Sequence, residues 1–414
     1  MSVLRKALHL CLAAMAVVCG IAVLATPAAA EDKNAIDTPK PVLAATPPMG
    51  WNSWNHFNCG IDEGKIRAQA DAMVSSGMKA AGYQYIVIDD CWQVSRDANG
   101  IIVADPEKFP SGIKALADYI HAKGLKFGIY SDAGLKTCGG RPASMGHEFQ
   151  DAATYAQWGV DYLKYDWCNT GTADAQAAYA LMARALREAG LTYHHDILFS
   201  MCEWGTAKPW LWASGVGHMW RTTGDISDAW IKNEKSKPWE NGMLDILDQQ
   251  VGLESFAGPN HWNDPDMLEV GNGGMTSDEY KAHFSLWAML AAPLISGNDL
   301  STMTKDTADI LTNPDVIAID QDTLGVEGHR AVKDGDDEVW VRPLANGDRA
   351  VILLNRSTDA HAIHVDWSTL GMAAGEKADV KDLWSKAVAK AVKGSYSAQV
   401  PGHAVVMVRV TPKA

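Results

Sequence analysis

The segment "DYLKYDW" places a lysine and an aspartate on one face of a short β-favouring run. Side chains alternate between the two faces of a strand, so Lys164 and Asp166 point one way while Leu163 and Tyr165 point the other. A carboxylate beside an ammonium group can serve as a nucleophile or can bind hydroxyl groups. The alternative is a wet strand face on which the pair has no chemical role.

Other β-type runs end in side chains of the same kind, and they supply carboxylates, one arginine and several indoles. In chain order they are Trp51 and Trp54 in "GWNSW", Asp89 and Asp90 in "IDDCW", Tyr130 and Asp132 in "YSD", Cys202, Glu203 and Trp204 in "CEW", Arg221 and Asp225 in "RTTGD", and Asp264 and Asp266 in "NDPDM". Carboxylates chelate hydroxyl groups, and indole faces pack on the apolar faces of pyranose rings. Gathered on one rim, these side chains would form a sugar site.

Several of these residues also have a purely structural interpretation. A lone aspartate at a strand end often caps the following helix, and Asp132 and Asp264 could do only that. Most of the 16 tryptophans are expected in the core. Glu203 could be an exposed rim charge or a substrate ligand. No His and carboxylate set with metal-ligand spacing accompanies "NDPDM", so we predict neither a metal nor another cofactor.

The elements that must position these residues alternate along the chain. Eight β-type runs are predicted near Met49–Asn52, Tyr85–Asp89, Lys126–Tyr130, Asp161–Asp166, Ile197–Cys202, His218–Thr222, His261–Asn263 and Pro293–Ser296. Helical patterns lie between them, including one over 173–190 and one that starts with Ser277 as its N-cap. This count predicts a (β/α)₈ TIM barrel over 46–325, where active sites lie at the carboxyl ends of the strands. The competing doubly wound sheet lacks a G-x-G-x-x-G after its first strand.

The remainder of the chain, 326–414, changes to a two-residue period. "VWVRPLANGDRAVILLNRS" consists of two alternating runs joined at Asn346-Gly347, which is a strong hairpin signal. The runs "AIHVDW" and "HAVVMVRV" continue the alternation. We therefore predict a C-terminal antiparallel β-sandwich.

Residues 1–30 read as a secretory signal peptide. Arg5 and Lys6 precede an apolar run, and an A-x-A site precedes Glu31. We expect a flexible lead-in over 31–45 and a secreted or periplasmic protein. Removal of the signal leaves 34 basic and 50 acidic side chains, a net charge of −16. That charge disfavours nucleic acid and anionic membranes as partners and suits a neutral substrate. Five cysteines remain after export, which in an oxidising compartment suggests two bridges and one free thiol.

At this point the ordered motifs carry a family resemblance. They are "PPMGWNSWNHFNCGID", "IDDCW", "GIYSDAG", "YLKYDWCN", "CEWG", "RTTGDI" and "WNDPDMLEVGN". Together they resemble glycoside hydrolase family 27, which contains α-galactosidases and melibiases. The resemblance implies a barrel followed by a β-sandwich and a retaining, exo-acting hydrolysis of terminal α-galactosides without a metal.

The resemblance also implies residue roles. Asp166 would be the nucleophile and Asp225 the acid/base. Lys164 would keep Asp166 ionised and bind a sugar hydroxyl. The remaining substrate-binding residues would be Trp54, Asp89, Asp90, Tyr130, Cys202, Trp204, Arg221 and Asp266. Bridges Cys59–Cys91 and Cys138–Cys168 would leave Cys202 free.

The resemblance also narrows the expected substrate through two features of the site. Bulky Cys202 and Trp204 would exclude a 2-acetamido group, and Asp90, being shorter than Glu, would leave room for the C6 hydroxymethyl group. An α-galactosidase is therefore favoured over an α-N-acetylgalactosaminidase or a β-L-arabinopyranosidase. A non-catalytic galactose-binding protein is an alternative from a different class, and a metallohydrolase is a third. The expected partners are small-molecule or polysaccharide α-galactosides.

Overall fold

The computed structural model describes residues 40–413. The predicted signal peptide and most of the predicted lead-in lie outside this range. Lys40 to Ala45 have no regular secondary structure, and the Lys40 ammonium group donates to the carbonyls of Gly217 and Asn260, both at 2.6 Å. Across 40–413 there is no helix both long enough and apolar enough to cross a membrane.

The first part of the described chain forms a parallel barrel. Its strands, together with a separate hairpin made by β3 and β4, are β1 (Met49–Asn52), β2 (Tyr85–Val87), β3 (Gln93–Arg96), β4 (Ile102–Ala104), β5 (Lys126–Asp132), β6 (Tyr162–Asp166), β7 (Leu198–Cys202), β8 (Met219–Arg221), β9 (Trp262–Asp264) and β10 (Leu294–Ser296). The eight barrel strands pair in the order β10-β1-β2-β5-β6-β7-β8-β9. Leu268, shortly after β9, bridges to Ser296 and closes the ring. The predicted (β/α)₈ barrel is confirmed.

Helices lie between most of the barrel strands and after the last one. They are α1 (Trp54–Phe57), α2 (Glu63–Ser75), α3 (Met78–Ala81), α4 (Ile113–Ala122), α5 (Glu148–Trp158), α6 (Ala175–Tyr193), α7 (Met243–Gln250), α8 (Ser277–Met289), α9 (Lys305–Leu311) and α10 (Pro314–Asp320). The prediction of Ser277 as an N-cap was wrong by one residue. The cap of α8 is Thr276, whose hydroxyl accepts from the Glu279 amide at 3.2 Å while the Glu279 carboxylate accepts from the Thr276 amide.

Strand β6 shows how the barrel sorts its side chains. Tyr165 packs edge-on against Tyr179 of α6, at 5.7 Å between ring centroids, and therefore faces the helices. Tyr162 belongs to an apolar cluster inside the barrel. Because side chains two residues apart lie on the same face of a strand, Lys164 and Asp166 also lie on this inner side, closer to the carboxyl end of β6. The predicted sidedness of the segment is confirmed.

The second part of the chain is antiparallel. Its strands are β11 (His329–Asp334), β12 (Asp337–Pro343), β13 (Arg349–Asn355), β14 (His361–Asp366), β15 (Lys377–Asp382), β16 (Val388–Lys393), β17 (Ser395–Val400) and β18 (Ala404–Lys413). Six of them form a sheet in the order β11-β12-β13-β18-β15-β16, and β14 pairs with β17. The hairpin at Asn346-Gly347 joins β12 to β13, with Gly347 at a φ of 87°. This confirms the predicted C-terminal β-sandwich.

The central residues of strand β12 are buried on both of its faces. Val339 and Val341 lie in the core between the two sheets of the sandwich. Trp340, between them, packs into the core of the barrel domain. Next to it the buried Arg342 guanidinium donates to the Ala288 carbonyl of α8 at 2.7 Å. The sandwich is thereby packed directly against a barrel helix.

Candidate active site

The carboxyl ends of the barrel strands surround a cavity of about 960 Å³. The residues that line it include the eleven that the sequence analysis assigned to catalysis or substrate binding: Trp54, Asp89, Asp90, Tyr130, Lys164, Asp166, Cys202, Trp204, Arg221, Asp225 and Asp266. They come from seven different strand ends. The barrel therefore brings the whole predicted set together, while the individual roles stay predictions.

Asp166 lies at the end of β6 and is almost fully buried. One carboxylate oxygen accepts from the Trp167 amide and the other from the Tyr130 hydroxyl, both at 2.9 Å. Burial raises the pKa of Asp166 to about 6. The positive charge of Lys164 lowers this pKa, and the negative charge of Asp225 raises it further. Each oxygen keeps lone-pair capacity, so the carboxylate is held in place yet able to react.

Lys164 has a different direct partner from the one expected. Its ammonium group donates to Asp89 Oδ2 at 2.8 Å, and the Asn52 amide donates to the same oxygen at 2.8 Å. Burial opposes a charge on Lys164, but Asp89 and other carboxylates hold its pKa well above the usual value. Residues two apart on a strand are separated by about 6.6 Å, so the long lysine side chain reaches across the barrel rather than along β6.

Asp90 is held by two backbone amides next to the disulfides. Oδ1 accepts from the amide of Cys91 and Oδ2 from that of Gly139, both at 2.6 Å. Cys91 is bonded to Cys59, and Gly139 directly follows Cys138 of the Cys138–Cys168 bridge. Both predicted disulfides are present, and each one borders the carboxylate assigned to bind the sugar.

Arg221 contacts two carboxylates of the cavity, those of Asp266 and Asp225. Its Nη2 lies 2.9 Å from Asp266 Oδ2 and 3.2 Å from Asp225 Oδ1. Burial opposes the guanidinium charge, yet Asp266, Cys202 and Asp225 raise its pKa well above the usual value. The Asp225 side chain is 38% exposed, whereas Asp166 is buried. The Asp166 carboxylate is therefore enclosed, whereas the Asp225 carboxylate lies at the opening of the cavity.

Two further acids have structural roles that their spacing did not reveal. Asp132 is fully buried, and its oxygens accept from the Gly134 and Cys168 amides at 2.6 and 2.9 Å. Burial and the charge of Asp166 raise the pKa of Asp132 to about 8. Asp264 accepts from the Asp266 amide at 2.9 Å. Neither acid caps a helix, so both stabilise the loops that carry site residues instead.

Glu203 matches neither interpretation left open for it. The side chain is fully buried and does not line the cavity. Its Oε2 accepts from the Ala207 amide at 2.6 Å and from the Thr206 hydroxyl at 2.7 Å. Burial raises its pKa. Glu203 therefore organises the loop after β7, between the two cavity residues Cys202 and Trp204.

Loops and helix α1 bring further side chains to the cavity that were not predicted from the sequence. They include Asn55, His56, Asn58, Thr206, Ile226, Ser227, Asp228, Lys237, Trp239, Glu240, Met267, Glu269 and Asn272. Of these, Glu269 accepts from the side-chain amides of Asn55 and Asn272, both at 2.5 Å, and so ties helix α1 to the loop after β9. Burial raises the pKa of Glu269 to about 8. Only Trp239, isolated in the polar run "KSKPWEN", carried a signal that could have been read from the sequence.

Within residues 40–413, potential metal-ligand atoms come close together in one group of three. The one set of three potential ligand atoms in close proximity joins Asp132 to Cys138 and Cys168. Those two sulfur atoms are bonded to each other, so neither can act as a thiolate ligand.

Comparison with known proteins adds independent information. Residues 46–322 match the family described as "Alpha galactosidase A", and residues 334–410 match "Alpha galactosidase C-terminal beta sandwich domain". The chain is 53% identical over 382 residues to "Alpha-galactosidase A" of Cellvibrio japonicus, covering 90% of this chain and 93% of that protein.

Two solved α-galactosidase structures are similar to most of this chain. α-Galactosidase I from Mortierella vinacea aligns with a TM-score of 0.85 and 39% identity, covering 89% of this chain and 97% of that one. The α-galactosidase from Saccharomyces cerevisiae with raffinose aligns with a TM-score of 0.83 and 30% identity, covering 91% and 100%. Both likenesses extend through the barrel and the sandwich together.

Proposed function

This chain belongs to the α-galactosidase A family and is a glycoside hydrolase, and we propose that it releases terminal α-D-galactose by a retaining double displacement. The observation that carries this proposal is the pair Asp166 and Asp225 on one cavity, the first enclosed and the second at the opening. A nucleophile needs a fixed, dry environment, while an acid/base must exchange protons with water.

In the first step an Asp166 oxygen attacks the anomeric carbon of the galactosyl unit. The bond from that carbon to the leaving oxygen breaks, and the Asp225 carboxyl proton passes to the leaving oxygen. In the second step Asp225 takes a proton from water, and the water oxygen displaces Asp166 from the anomeric carbon. Two inversions return galactose with its original configuration.

The remaining cavity residues suit the binding of the sugar. Asp89 and Asp90 would accept hydrogen bonds from the hydroxyls on C4 and C6, and Lys164 would donate to one of them. Trp54 would pack against the ring. Arg221 holds Asp225 and Asp266 in fixed positions, because it contacts both carboxylates.

Specificity for galactose over its sister substrates is part of the same proposal. Buried Cys202 and the indole of Trp204 line the cavity and would crowd a 2-acetamido group. Asp90 is fixed by two amides, which leaves space where a longer glutamate would meet the C6 hydroxymethyl group. Activity on p-nitrophenyl α-galactoside should therefore exceed activity on the α-N-acetylgalactosaminide and the β-L-arabinopyranoside.

The roles of the two carboxylates can be assigned separately with azide. In Asp225→Ala, azide should replace water in the second step and give α-galactosyl azide. In Asp166→Ala, azide should attack the substrate directly and give β-galactosyl azide. The wild-type enzyme should release α-galactose first, as observed by NMR. Full activity of Asp166→Ala, or a first-formed β-galactose, would refute the mechanism.

The competing functions predict different results. A metallohydrolase would lose activity with a chelator, and a binding protein would retain galactose without turnover.

We also propose that the chain is exported through residues 1–30 and that its domains span 46–325 and 326–414. N-terminal sequencing of exported protein should begin at Glu31.

A further inference from the structure

The segment that follows Asp225 extends the cavity beyond the catalytic pair. Trp239, Lys237 and Glu240 line the same cavity as Asp166 and Asp225. Trp239 is 60% exposed, although a tryptophan is usually buried. The cavity volume of about 960 Å³ is at the upper end of the roughly 300–1,000 Å³ common for small-molecule sites, which is more than one hexose requires.

Backbone contacts fix the position of this segment relative to the acid/base. The Asn241 amide donates to the Asp225 carbonyl at 2.8 Å, and the Ser227 amide donates to the Asn241 carbonyl at 2.8 Å. A Cβ atom on Gly224 would lie only 2.9 Å from the Trp239 carbonyl oxygen, so the two chain segments are in close contact there. The backbone that carries the indole is therefore held against the backbone that carries the acid/base.

The charges around the indole compensate each other. Lys237 and Glu240 form an ion pair at 3.0 Å, and the Lys237 ammonium group lies 5.7 Å from the centroid of the Trp239 ring. An apolar face bordered by a neutralised pair of hydrogen-bonding groups suits a polyhydroxylated, uncharged ring. It offers no net charge for an ionic ligand and little continuous apolar surface for an acyl chain.

Resting on the proposed function, we propose that Trp239 is the floor of a leaving-group subsite that binds a neutral sugar. The acid/base delivers its proton to the leaving oxygen, so the group attached to that oxygen must lie next to Asp225 on the open side of the cavity. The substrate class is then α-galactosides in which galactose is linked to another sugar, as in galactosyl oligosaccharides. Stacking on Trp239 would orient the leaving sugar for protonation.

The test compares substrates that share the galactosyl unit. Raffinose and melibiose have a sugar leaving group, whereas α-galactosyl fluoride has none. In Trp239→Ala the ratio of kcat/KM for raffinose to kcat/KM for the fluoride should fall about tenfold or more, because truncation of an interfacial tryptophan is costly. In Trp239→Phe the ratio should fall less, since a stacking face remains.

Ile231→Ala is the matched control, because Ile231 is a large, 52% exposed side chain of the same loop that does not line the cavity. Its ratio should equal that of the wild type. An unchanged ratio in Trp239→Ala overturns the subsite, and so does a greater loss for an alkyl α-galactoside than for raffinose. Wild-type protein inactive on α-galactosyl fluoride overturns the proposed function instead, so the two failures are distinguishable.

Discussion

The ammonium group of Lys164 contacts Asp89 Oδ2 at 2.8 Å, although Asp166 lies only two residues further along the same strand face. The lysine charge therefore acts on Asp166 through space, while Tyr130 makes the direct hydrogen bond. This division leaves the proposed nucleophile without a salt bridge that would occupy its lone pairs. The pKa of Asp166 also stays above its ordinary value, because the effect of burial outweighs that of the Lys164 charge.

Replacement of Lys164 by methionine should damage both binding and chemistry. The buried Asp89 would lose its cation, and breaking a buried ion pair destabilises a folded protein by about 3–5 kcal/mol. We expect kcat/KM for p-nitrophenyl α-galactoside to fall by about 100-fold or more. Lys114→Met is the matched control, since the Lys114–Asp118 pair is exposed and should have little effect. A Lys164→Met enzyme with nearly normal kcat/KM would show that the pair has no functional role.

The pH profile of kcat/KM should report the ionisation of Asp166. A nucleophile must be unprotonated, so activity should decrease on the acid side with an apparent pKa of about 6, by about tenfold per pH unit below it. Tyr130→Phe removes a hydrogen bond to the charged form and should move this limb to higher pH. An acid limb that is unmoved in Tyr130→Phe would assign the titration to a different group.

Asp166→Asn should make the protein more stable while abolishing its activity. The folded-state pKa is raised from 3.8 to about 6, so ionisation of Asp166 costs the folded state about 3 kcal/mol at neutral pH. That cost is fully present above pH 6, decreases as the pH falls through this window, and vanishes below the ordinary value of 3.8. The unfolding midpoint of Asp166→Asn in urea should therefore exceed that of the wild type at neutral pH and equal it in acid. A gain independent of pH would contradict this account.

Loss of the Cys138–Cys168 bridge should affect substrate binding as well as stability. The bridge closes a loop of about 30 residues, worth roughly 2–4 kcal/mol, and Gly139 beside it donates to Asp90 at 2.6 Å. In the double variant Cys138→Ser/Cys168→Ser we expect a lower unfolding midpoint and an increased KM. A purely structural bridge would reduce the amount of folded enzyme but leave the KM of the folded fraction unchanged, and KM therefore decides between the two.

Much of the architecture was predictable because its signals are local. The period of two residues in β6 sets which face each side chain takes, and Lys164 and Asp166 do lie on the inner side. The strand ends of a parallel barrel all meet at one rim, so reading those ends in order found every assigned member of the cavity. The hairpin at Asn346-Gly347 depended on turn chemistry within a few residues.

What local pattern could not supply is the identity of contacts between distant segments. Lys164 and Asp89 are 75 residues apart, and their pairing depends on strand order and side-chain reach across the barrel. Glu203 and Asp132 are buried acids whose carboxylates accept hydrogen bonds from backbone amides of loops, from Ala207 and Cys168 respectively.

The sequence by itself determined the barrel, the sandwich, the sidedness of the strands and the set of residues at the rim. Each of these features depends on local periodicity or on the order of strands, helices and motifs along the chain. Only the tertiary structure decided which carboxylate receives the lysine, which acids are withdrawn from the cavity and which loop residues, such as Trp239, enter it. Those outcomes depend on how the loops fold and pack against other segments, where the energy of one contact depends on the placement of all its neighbours.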